Sequence, residues 1–299
     1  DGLPLVGSVV RNIAKSQHDD LEGEARFQTE HKVAERARIQ LDSEISKAVA
    51  KLKERFKRQL WDTLDRLDLE LEPLALSTSE DRVVMRLRLA GDEQLGAYTP
   101  RPRAPSGSLM SLQVHESALN NALARLELDD QSFTLAELFA HLRSKLNRAP
   151  AASAQDVDLP EEVTVRFAPQ DAVRVSCQNG RVEVRLAFAE LVQGQHRWRN
   201  FAVVTHYRPD TTQLDIHFVR DGTIFLEGES LKGRPQVTLR TIFSKVLSAE
   251  RGWGLLSPDV TTDPRLADVT ISQFTVDQGW IGLAYAPRPT PGPVARRPK

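Results

Sequence analysis

The stretch RVEVRLAFAELVQGQHRWRNFAVVTHYRPDTTQLDIHFVRDGTIFLE, residues 181–227, decides the fold class. Apolar and polar residues alternate along it, in runs such as Val182-Val184-Leu186-Phe188 and Phe201-Val203-Thr205-Tyr207. A period of two is typical of strands that bury one face. Turn signals separate several runs, at 179–180, 193–194, 209–210 and 221–222. We therefore predict an antiparallel meander.

The turns also predict a register for these strands. A two-residue turn at 193–194 places Leu186 opposite Phe201, and a four-residue loop at 209–212 places Thr205 opposite Ile216. A further turn at 221–222 would place Phe218 opposite Phe225. These assumptions give one continuous apolar face.

The opposite face of this predicted sheet carries a candidate metal cluster. In the same register His206 lies across from Asp215, with His217 two positions further along that face. Two imidazoles and a carboxylate are common zinc ligands. However, Arg181 would neighbour His206 and repel a cation, and ordinary surface ion pairs explain the residues equally well. We predict no metal site and keep His206, Asp215 and His217 as the candidate cluster.

Residues 20 to 71 have the pattern of a long helix. From Leu41 to Leu71, apolar residues recur at steps of three and four, and charged residues of both signs surround them. Such a helix would be ~75 Å long. Pro73 is expected to end it. At that length, part of the helix is expected to project, to lie across the rest of the protein, or to pair through residues 20–70 with a second copy or another protein.

The segments on either side of the meander complete the predicted fold. A strand is expected in DRVVMRLRLAG, residues 81–91, and a stiff proline-rich connector follows at 98–108. Further helices are expected near 113–128, 134–146 and 237–248, and a last hairpin near 268–286. The fold class is thus α+β: a long N-terminal helix with a curved antiparallel meander and two or three further helices packed on it. We expect a helical segment at 1–75, an α+β domain at 76–287 and a disordered basic tail at 288–299.

The stretch QVHESALNNALARLEL, residues 113–128, resembles a catalytic motif at first sight. A zinc protease would need a second histidine at position 119, which is leucine, and nothing like a nucleophile elbow surrounds Ser117. Helix capping explains the stretch better, with His115 at the cap and Glu116 in the first turn. Asn121 is expected on the exposed side. Since phosphate-binding loops are also missing from the sequence, we predict no catalytic residue and no cofactor.

Composition excludes further classes of function. The chain has 299 residues, with 40 basic and 41 acidic side chains, a balance unlike that of a general nucleic-acid-binding protein. No apolar run reaches the roughly 18 residues that a transmembrane helix needs. The single cysteine, Cys177, lies on the apolar side of an alternating run, which favours a core residue over a reactive thiol.

Two stretches resemble a set of exported bacterial proteins whose function is uncharacterised. They are RLRLAGDEQLGAYTPRPRAPSGSLMSLQVHESALNNALARLELDDQSFTLAEL, residues 86–138, and QGWIGLAY, residues 278–285. The resemblance covers most of residues 35–286. In outline, the element order is also similar to that of tubular lipid-binding domains. The resemblance implies a periplasmic or extracellular protein.

These observations lead to two expectations for function. The first is a non-enzymatic cell-envelope protein that binds a lipid or another hydrophobic ligand in an apolar groove. The second is a scaffolding protein that self-associates or contacts envelope partners through its long charged helix. A map of cavities would separate the two, because a tunnel favours lipid binding and a solid core favours a scaffold.

Overall fold

The computed structural model describes most of the chain from residue 64 onward and a few residues before it. The described residues are 31–33, 35–36, 38–40, 43, 47, 64, 67–91, 94–146, 162–212, 214–228, 231, 233–250, 252–256 and 258–289. The chain divides into two compact units, Asp1–Trp61 and Asp62–Lys299. In the first unit the described residues are helical. The sheets and helices below belong to the second unit.

The described residues are mostly β, with 46% in strands and 24% in helices. The predicted α+β class built around a long N-terminal helix is therefore wrong. Three antiparallel sheets carry the architecture, and the helices are short. The predicted division into 1–75, 76–287 and 288–299 stays a prediction, because residues 1–30 and 290–299 lie outside the described residues.

The strands form a ribbon, a large sheet and a small sheet. The ribbon pairs β1 with β2, the large sheet has the order β10-β9-β8-β7-β5-β4 with β6 also on β7, and the small sheet has the order β11-β12-β3. Their bounds are β1 Glu70–Thr78, β2 Val83–Ala90, β3 Met110–His115, β4 Ser132–Thr134, β5 Val163–Phe167, β6 Val173–Gln178, β7 Arg181–Gln193, β8 His196–Thr211, β9 Ile216–Glu227, β10 Trp253–Gly254, β11 Val269–Asp277 and β12 Trp280–Pro287.

The described helices are α1 Glu116–Ala124, α2 Leu135–Leu146, α3 Arg234–Val246 and α4 Pro258–Thr261, followed by one 3-10 turn at Pro264–Leu266. The longest of them, α3, has 13 residues. It buries Leu239, Ile242 and Phe243, three of the four apolar residues expected on its buried face, and the fourth, Val246, is half-buried. The three predicted helices of this region are therefore confirmed, with boundaries that differ by a few residues.

The expected end of the long helix at Leu71 is also wrong. Asp68 adopts a left-handed conformation, and the Leu69 N–H donates to the Leu64 carbonyl oxygen at 3.0 Å. This six-to-one bond across a left-handed residue is typical of a helix C-terminus. Leu71 and Pro73 lie in strand β1 instead. Of the expected helix before Leu64, residues 31–33, 35–36, 38–40, 43 and 47 are described and helical, and the other residues from 20 to 63 lie outside the described residues.

The predicted meander is present, but its register differs at all three of the assumed turns. The β7–β8 turn consists of residues 194–195, because Gln193 pairs with His196, so Leu186 faces Val203 and not Phe201. Asp221-Gly222 is not a hairpin turn. Strand β9 runs through it, and a bulge opposite residues 204–206 absorbs the left-handed Gly222. The β8–β9 loop consists of residues 212–215 and not 209–212, so Ile216 faces Thr211 and not Thr205.

The core lies on one face of the large sheet. Towards one end, Phe243 of α3 packs on Phe188 and Phe201, with ring centroids 5.3 and 6.4 Å away. Towards the other end, the small sheet contributes to a buried cluster of Cys177, Val182, Tyr207, Leu214, Ile216, Phe218, Val276, Leu283 and Tyr285. The prediction that Cys177 is a core residue is confirmed, since it is fully buried. Burial raises the pKa of its thiol to about 12.

Candidate functional site

His115 caps helix α1, as the sequence predicted. Its Nδ1 accepts a hydrogen bond from the Ser117 backbone N–H at 3.1 Å, which satisfies a free donor of the first helical turn. Its Nε2 lies 3.1 Å from the Thr99 hydroxyl. The rings of Tyr98 and Trp280 pack edge-on against it, each with a centroid distance of 4.9 Å. Burial lowers the pKa of His115, so the neutral ring is the form that the fold favours.

Glu116 follows the cap and is buried as well. One carboxylate oxygen accepts a bond from the Tyr98 hydroxyl at 2.9 Å, and the other accepts one from the Cys177 backbone N–H at 2.7 Å. The bond to the Glu116 carboxylate raises the pKa of Tyr98, because the phenol proton is held there. The Glu116 N–H donates to the carbonyl oxygen of Gly279 at 2.7 Å. Glu116 therefore joins the connector, strand β6 and the β11–β12 turn.

The two asparagines of α1 also make structural bonds. The Asn120 side chain exchanges two bonds of 2.8 Å with the Val175 backbone on β6. Asn121 was expected on the exposed side, and that expectation is wrong, because it is buried and donates to the carbonyl oxygens of Leu89 and Leu95. Every polar side chain of this group bonds inside the fold, which is the arrangement of a structural junction.

The structure separates the three residues of the candidate metal cluster. His206 faces Asp221 across the β8–β9 ladder, and its Nε2 lies 3.1 Å from Glu183. His217 faces Asp210, four positions further along β8, or ~13 Å at the usual rise of a strand. Only the pair of Asp215 and His217 comes together, with 3.2 Å between Oδ2 and Nε2. Among the described residues, no group of three His, Cys, Asp or Glu side chains could hold a metal ion.

The Asp215–His217 pair borders an open cavity of about 440 Å³. Asp215 is buried, and its Oδ1 accepts bonds from the backbone N–H groups of Ile216 and Leu256, at 2.8 and 2.9 Å. The backbone of Gly254 approaches so closely that a Cβ there would lie 2.6 Å from Asp215 Oδ2. The lining residues of the cavity are Thr212, Asp215, His217, Gly254, Leu256 and Thr261.

This pair could orient an imidazole for proton transfer, but the cavity offers little further chemistry. A hydrolytic site needs a nucleophile or a bound water and donors for the developing oxyanion. The described lining contains no serine, cysteine, lysine or arginine, and the hydroxyl of Thr212 is hydrogen-bonded to the backbone of Asp215. Two backbone donors on Asp215 explain its burial completely. We therefore assign it the role of fastening residues 254–256 to β9.

The feature that sets the molecule apart is an apolar surface between residues 74 and 112. Ten of the sixteen large, exposed apolar side chains of the described residues fall in this segment, and they are 40 to 84% exposed. They are Leu74, Leu76, Val83, Met85, Leu87, Leu95, Tyr98, Leu109, Met110 and Leu112. A concentration of exposed apolar side chains of this kind is typical of a site of interaction with a partner. We call these ten residues the apolar surface.

Strand pairing explains why the apolar side chains of the ribbon share one face. Leu76 pairs with Met85, Pro73 with Leu87 and Thr78 with Val83. The alternate positions carry Arg86 and Ser77 among others, on the other face. The apolar face of this amphipathic ribbon is thus turned outward, where a half-buried strand would normally turn it inward.

Both ends of the ribbon are hydrogen-bonded to residues 94–108, the segment that follows it and includes the proline-rich connector. At its base, Arg88 donates to the Gln94 carbonyl oxygen at 2.7 Å. The side-chain amide of Asn121 donates to the carbonyl oxygens of Leu89 and Leu95. At its tip, Arg82 donates to the carbonyl oxygen of Ser106. The ribbon therefore lies along the connector in a defined position, and its exposed face is a built feature of the fold.

The sequence predicted the apolar face of this surface but not its exposure. The alternation of residues 83–89 predicts a strand with one apolar face, and that strand is confirmed as β2. Alternation alone does not say whether that face meets a core. Only the structure shows that it does not, since residues 94–108 form no strand or helix that could cover it.

Comparison with known proteins gives no guide to this surface. No protein-family model matches the chain, and no curated protein matches it either. Within the described residues, no helix is both long enough and apolar enough to cross a membrane.

Proposed function

We propose that this protein is a non-enzymatic binding and scaffolding protein that docks a hydrophobic partner on its apolar surface. The observation that carries the proposal is the concentration of ten exposed apolar side chains within residues 74–112. Leaving such a surface in water costs about 25 cal/mol for each Å². Because hydrogen bonds hold both ends of the ribbon in place, the surface stays exposed in the free protein. Binding of a partner that covers it is therefore favourable in free energy.

A non-enzymatic role is supported by the state of the polar groups that first suggested chemistry. His115 and Glu116 use their side-chain atoms to join secondary-structure elements. Asp215 holds the backbone of residues 216 and 256. An active site instead leaves its acid, base or nucleophile free to reach a substrate.

A hydrophobic ligand such as a lipid is the second candidate. It is favoured by the aliphatic character of the ribbon, where Leu74, Leu76, Val83, Met85 and Leu87 would contact acyl chains. The surface is open, so such a ligand would lie on it and would not fill a tunnel. We also propose a periplasmic or extracellular location, on the strength of the resemblance at 86–138 and 278–285. Fractionation of the cells that make the protein tests the location, and a purely cytosolic pool would refute it.

Binding of the hydrophobic dye bis-ANS in dilute solution tests the proposed surface. The wild type is expected to bind the dye, and the triple variant Leu76→Ser, Met85→Ser, Leu87→Ser is expected to lose most of that signal. Val237→Ser is the matched control, because Val237 is 66% exposed on helix α3, outside the apolar surface. This variant should bind as much dye as the wild type. Equal dye binding by the wild type and the triple variant would refute the proposal.

The lipid candidate has its own experiment. Native mass spectrometry of purified protein, together with a fluorescent fatty acid and phosphatidylcholine vesicles, would detect bound apolar ligands. A copurifying lipid mass that the triple variant loses would favour the lipid. Dye binding without any lipid or vesicle binding would leave a protein partner as the occupant.

A further inference from the structure

We propose that the partner on the apolar surface is a second copy of this chain, packed face to face around a two-fold axis. This inference rests on the proposed function and names the occupant of the same surface. A two-fold interface is isologous, so one surface must be complementary to itself. The area, the charges and the protected edge of the ribbon all fit that requirement.

The apolar area matches what a stable dimer needs. Complete burial of a side chain of this size removes roughly 60 to 120 Å² from water, judged from its transfer free energy. Ten side chains at the observed exposure therefore offer roughly 380 to 760 Å² in total. A standard interface buries about 800 Å² on each partner, of which about 57% is apolar. The surface supplies that apolar share without any other part of the molecule.

The charges around the surface are balanced in a way that suits a second copy. Residues 70–112 carry six acidic side chains, Glu70, Glu72, Glu80, Asp81, Asp92 and Glu93, and five basic ones, Arg82, Arg86, Arg88, Arg101 and Arg103. An anionic membrane attracts clusters of four or more basic residues, each contributing about 1 kcal/mol. A segment without net positive charge lacks that attraction, and it does not repel its own copy.

Residues of opposite charge near the apolar surface are available for an ion pair with a second copy. Glu80 lies at the exposed tip of the ribbon, while Arg101 and Arg103 are exposed in the connector. Among the described residues, none of these three makes an ion pair. A two-fold axis that runs the ribbons antiparallel would bring the tip of one copy towards the connector of the other. We assign Glu80 of one copy to Arg101 or Arg103 of its partner.

The face of the ribbon, and not its edge, is the docking element. Strand β1 contains Pro73, which lacks an N–H, and a bulge at Leu74 that interrupts the ladder. Both features are common devices against the addition of a further strand at an edge. With this edge blocked, association through β1 has to use the apolar side chains.

Sedimentation velocity over a range of protein concentrations tests the dimer. The full chain is expected to shift from monomer to dimer as its concentration rises, and the variant Leu76→Asp, Met85→Asp is expected to stay monomeric. Val237→Asp, an equally exposed apolar position on α3, should dimerise like the wild type. A dimer that persists in the double variant would place the interface elsewhere and overturn the proposal.

A charge swap tests the two-fold arrangement itself. Glu80→Arg alone, or Arg101→Glu with Arg103→Glu, should weaken the dimer about two- to fivefold in Kd, as expected for exposed ion pairs. The variant with all three changes should recover the wild-type Kd within about twofold. If the combined variant is weaker than either parent, Glu80 does not meet these arginines, and the assigned arrangement is wrong.

The two proposals can fail separately. A wild type that binds bis-ANS but stays monomeric at every concentration refutes the second copy and leaves the surface open to another partner. A wild type that neither binds the dye in dilute solution nor dimerises refutes both. If dimerisation is correct, dye binding per chain should also fall as the protein concentration rises.

Discussion

At the scale of single residues, the molecule uses buried polar groups to hold its elements together. Most of them find partners, as His115 and Glu116 do. Thr205 is an exception, because its hydroxyl is fully buried on β8 and has no hydrogen-bond partner. An unsatisfied buried hydroxyl keeps its desolvation cost without compensation.

Replacement of Thr205 by valine should therefore stabilise the protein. Removing an unsatisfied buried hydroxyl from a side chain of almost the same shape is expected to raise the free energy of unfolding by about 1 to 3 kcal/mol. Urea denaturation followed by circular dichroism measures the change. Thr223→Val is the control, because Thr223 is exposed on β9 and should change the stability little. A loss of stability in Thr205→Val would mean that the hydroxyl is bonded.

The histidine cap predicts a pH dependence of stability. Burial lowers the pKa of His115 from its ordinary value of 6.5, so below pH 6.5 the unfolded chain binds the proton more readily than the folded one. The contribution of the cap is complete above that pH and is lost as the pH falls through the folded-state pKa.

Comparison of the wild type with His115→Asn isolates this effect, because the other titrating groups are shared. Asparagine is a good helix cap that does not titrate. The stability of the wild type relative to the variant should decrease between pH 7.5 and pH 5, as measured by urea unfolding at each pH. A difference that stays constant or grows on acidification would contradict the burial of a neutral His115.

At the scale of elements, the turns decide how the strands meet. Asn179 and Gly180 both have positive φ, as do Gln278 and Gly279, and each pair forms a two-residue hairpin turn. The sequence signal at Asn179-Gly180 predicted its turn correctly. The same kind of signal at Asp221-Gly222 marked a bulge inside a strand, since a left-handed glycine serves both purposes.

Gly279 is expected to tolerate alanine less well than Gly180. Both residues have positive φ, at 83° and 75°, so the backbone strain of an alanine is similar. A Cβ at Gly279 would lie 2.7 Å from His115 Nε2, whereas Gly180 has open space around it. We expect Gly279→Ala to lower the unfolding free energy by about 1 to 3 kcal/mol more than Gly180→Ala, because it overpacks the cap. Equal losses of unfolding free energy in the two variants, measured by thermal or urea unfolding, would show that the His115 ring moves aside freely.

The elements also show how far sequence reasoning can reach. The period of two located β7, β8 and β12, and the period of 3.6 located α1 to α3, because each pattern reflects a buried face. The register was missed because it depends on the exact position of each turn, and a shift of the β7–β8 turn by one residue moved every partner by two. Asn121 was missed because its partners, Leu89 and Leu95, are distant in sequence.

At the scale of the whole molecule, the described part has a buried apolar core and an open apolar surface. Buried aromatic and aliphatic side chains fill the face of the large sheet beneath α3 and the small sheet. The apolar surface lies outside that core, on the ribbon, the connector and β3. Local patterns predicted an apolar face on β2, but whether another element covers a face is a property of the assembled fold. The sequence therefore could not indicate that this face is exposed.

The central claim is that the apolar side chains of the ribbon are exposed in the folded monomer and serve association, not the core. The most direct test is the unfolding free energy of Leu76→Ser in dilute solution, compared with that of Leu239→Ala. Leu239 is fully buried on α3, so Leu239→Ala should lower the free energy of unfolding by about 2 to 5 kcal/mol. Leu76→Ser should change the stability by less than about 0.5 kcal/mol, as expected of a surface position. A loss at Leu76 as large as that at Leu239 would mean that the ribbon face is covered in the monomer, and would contradict the account.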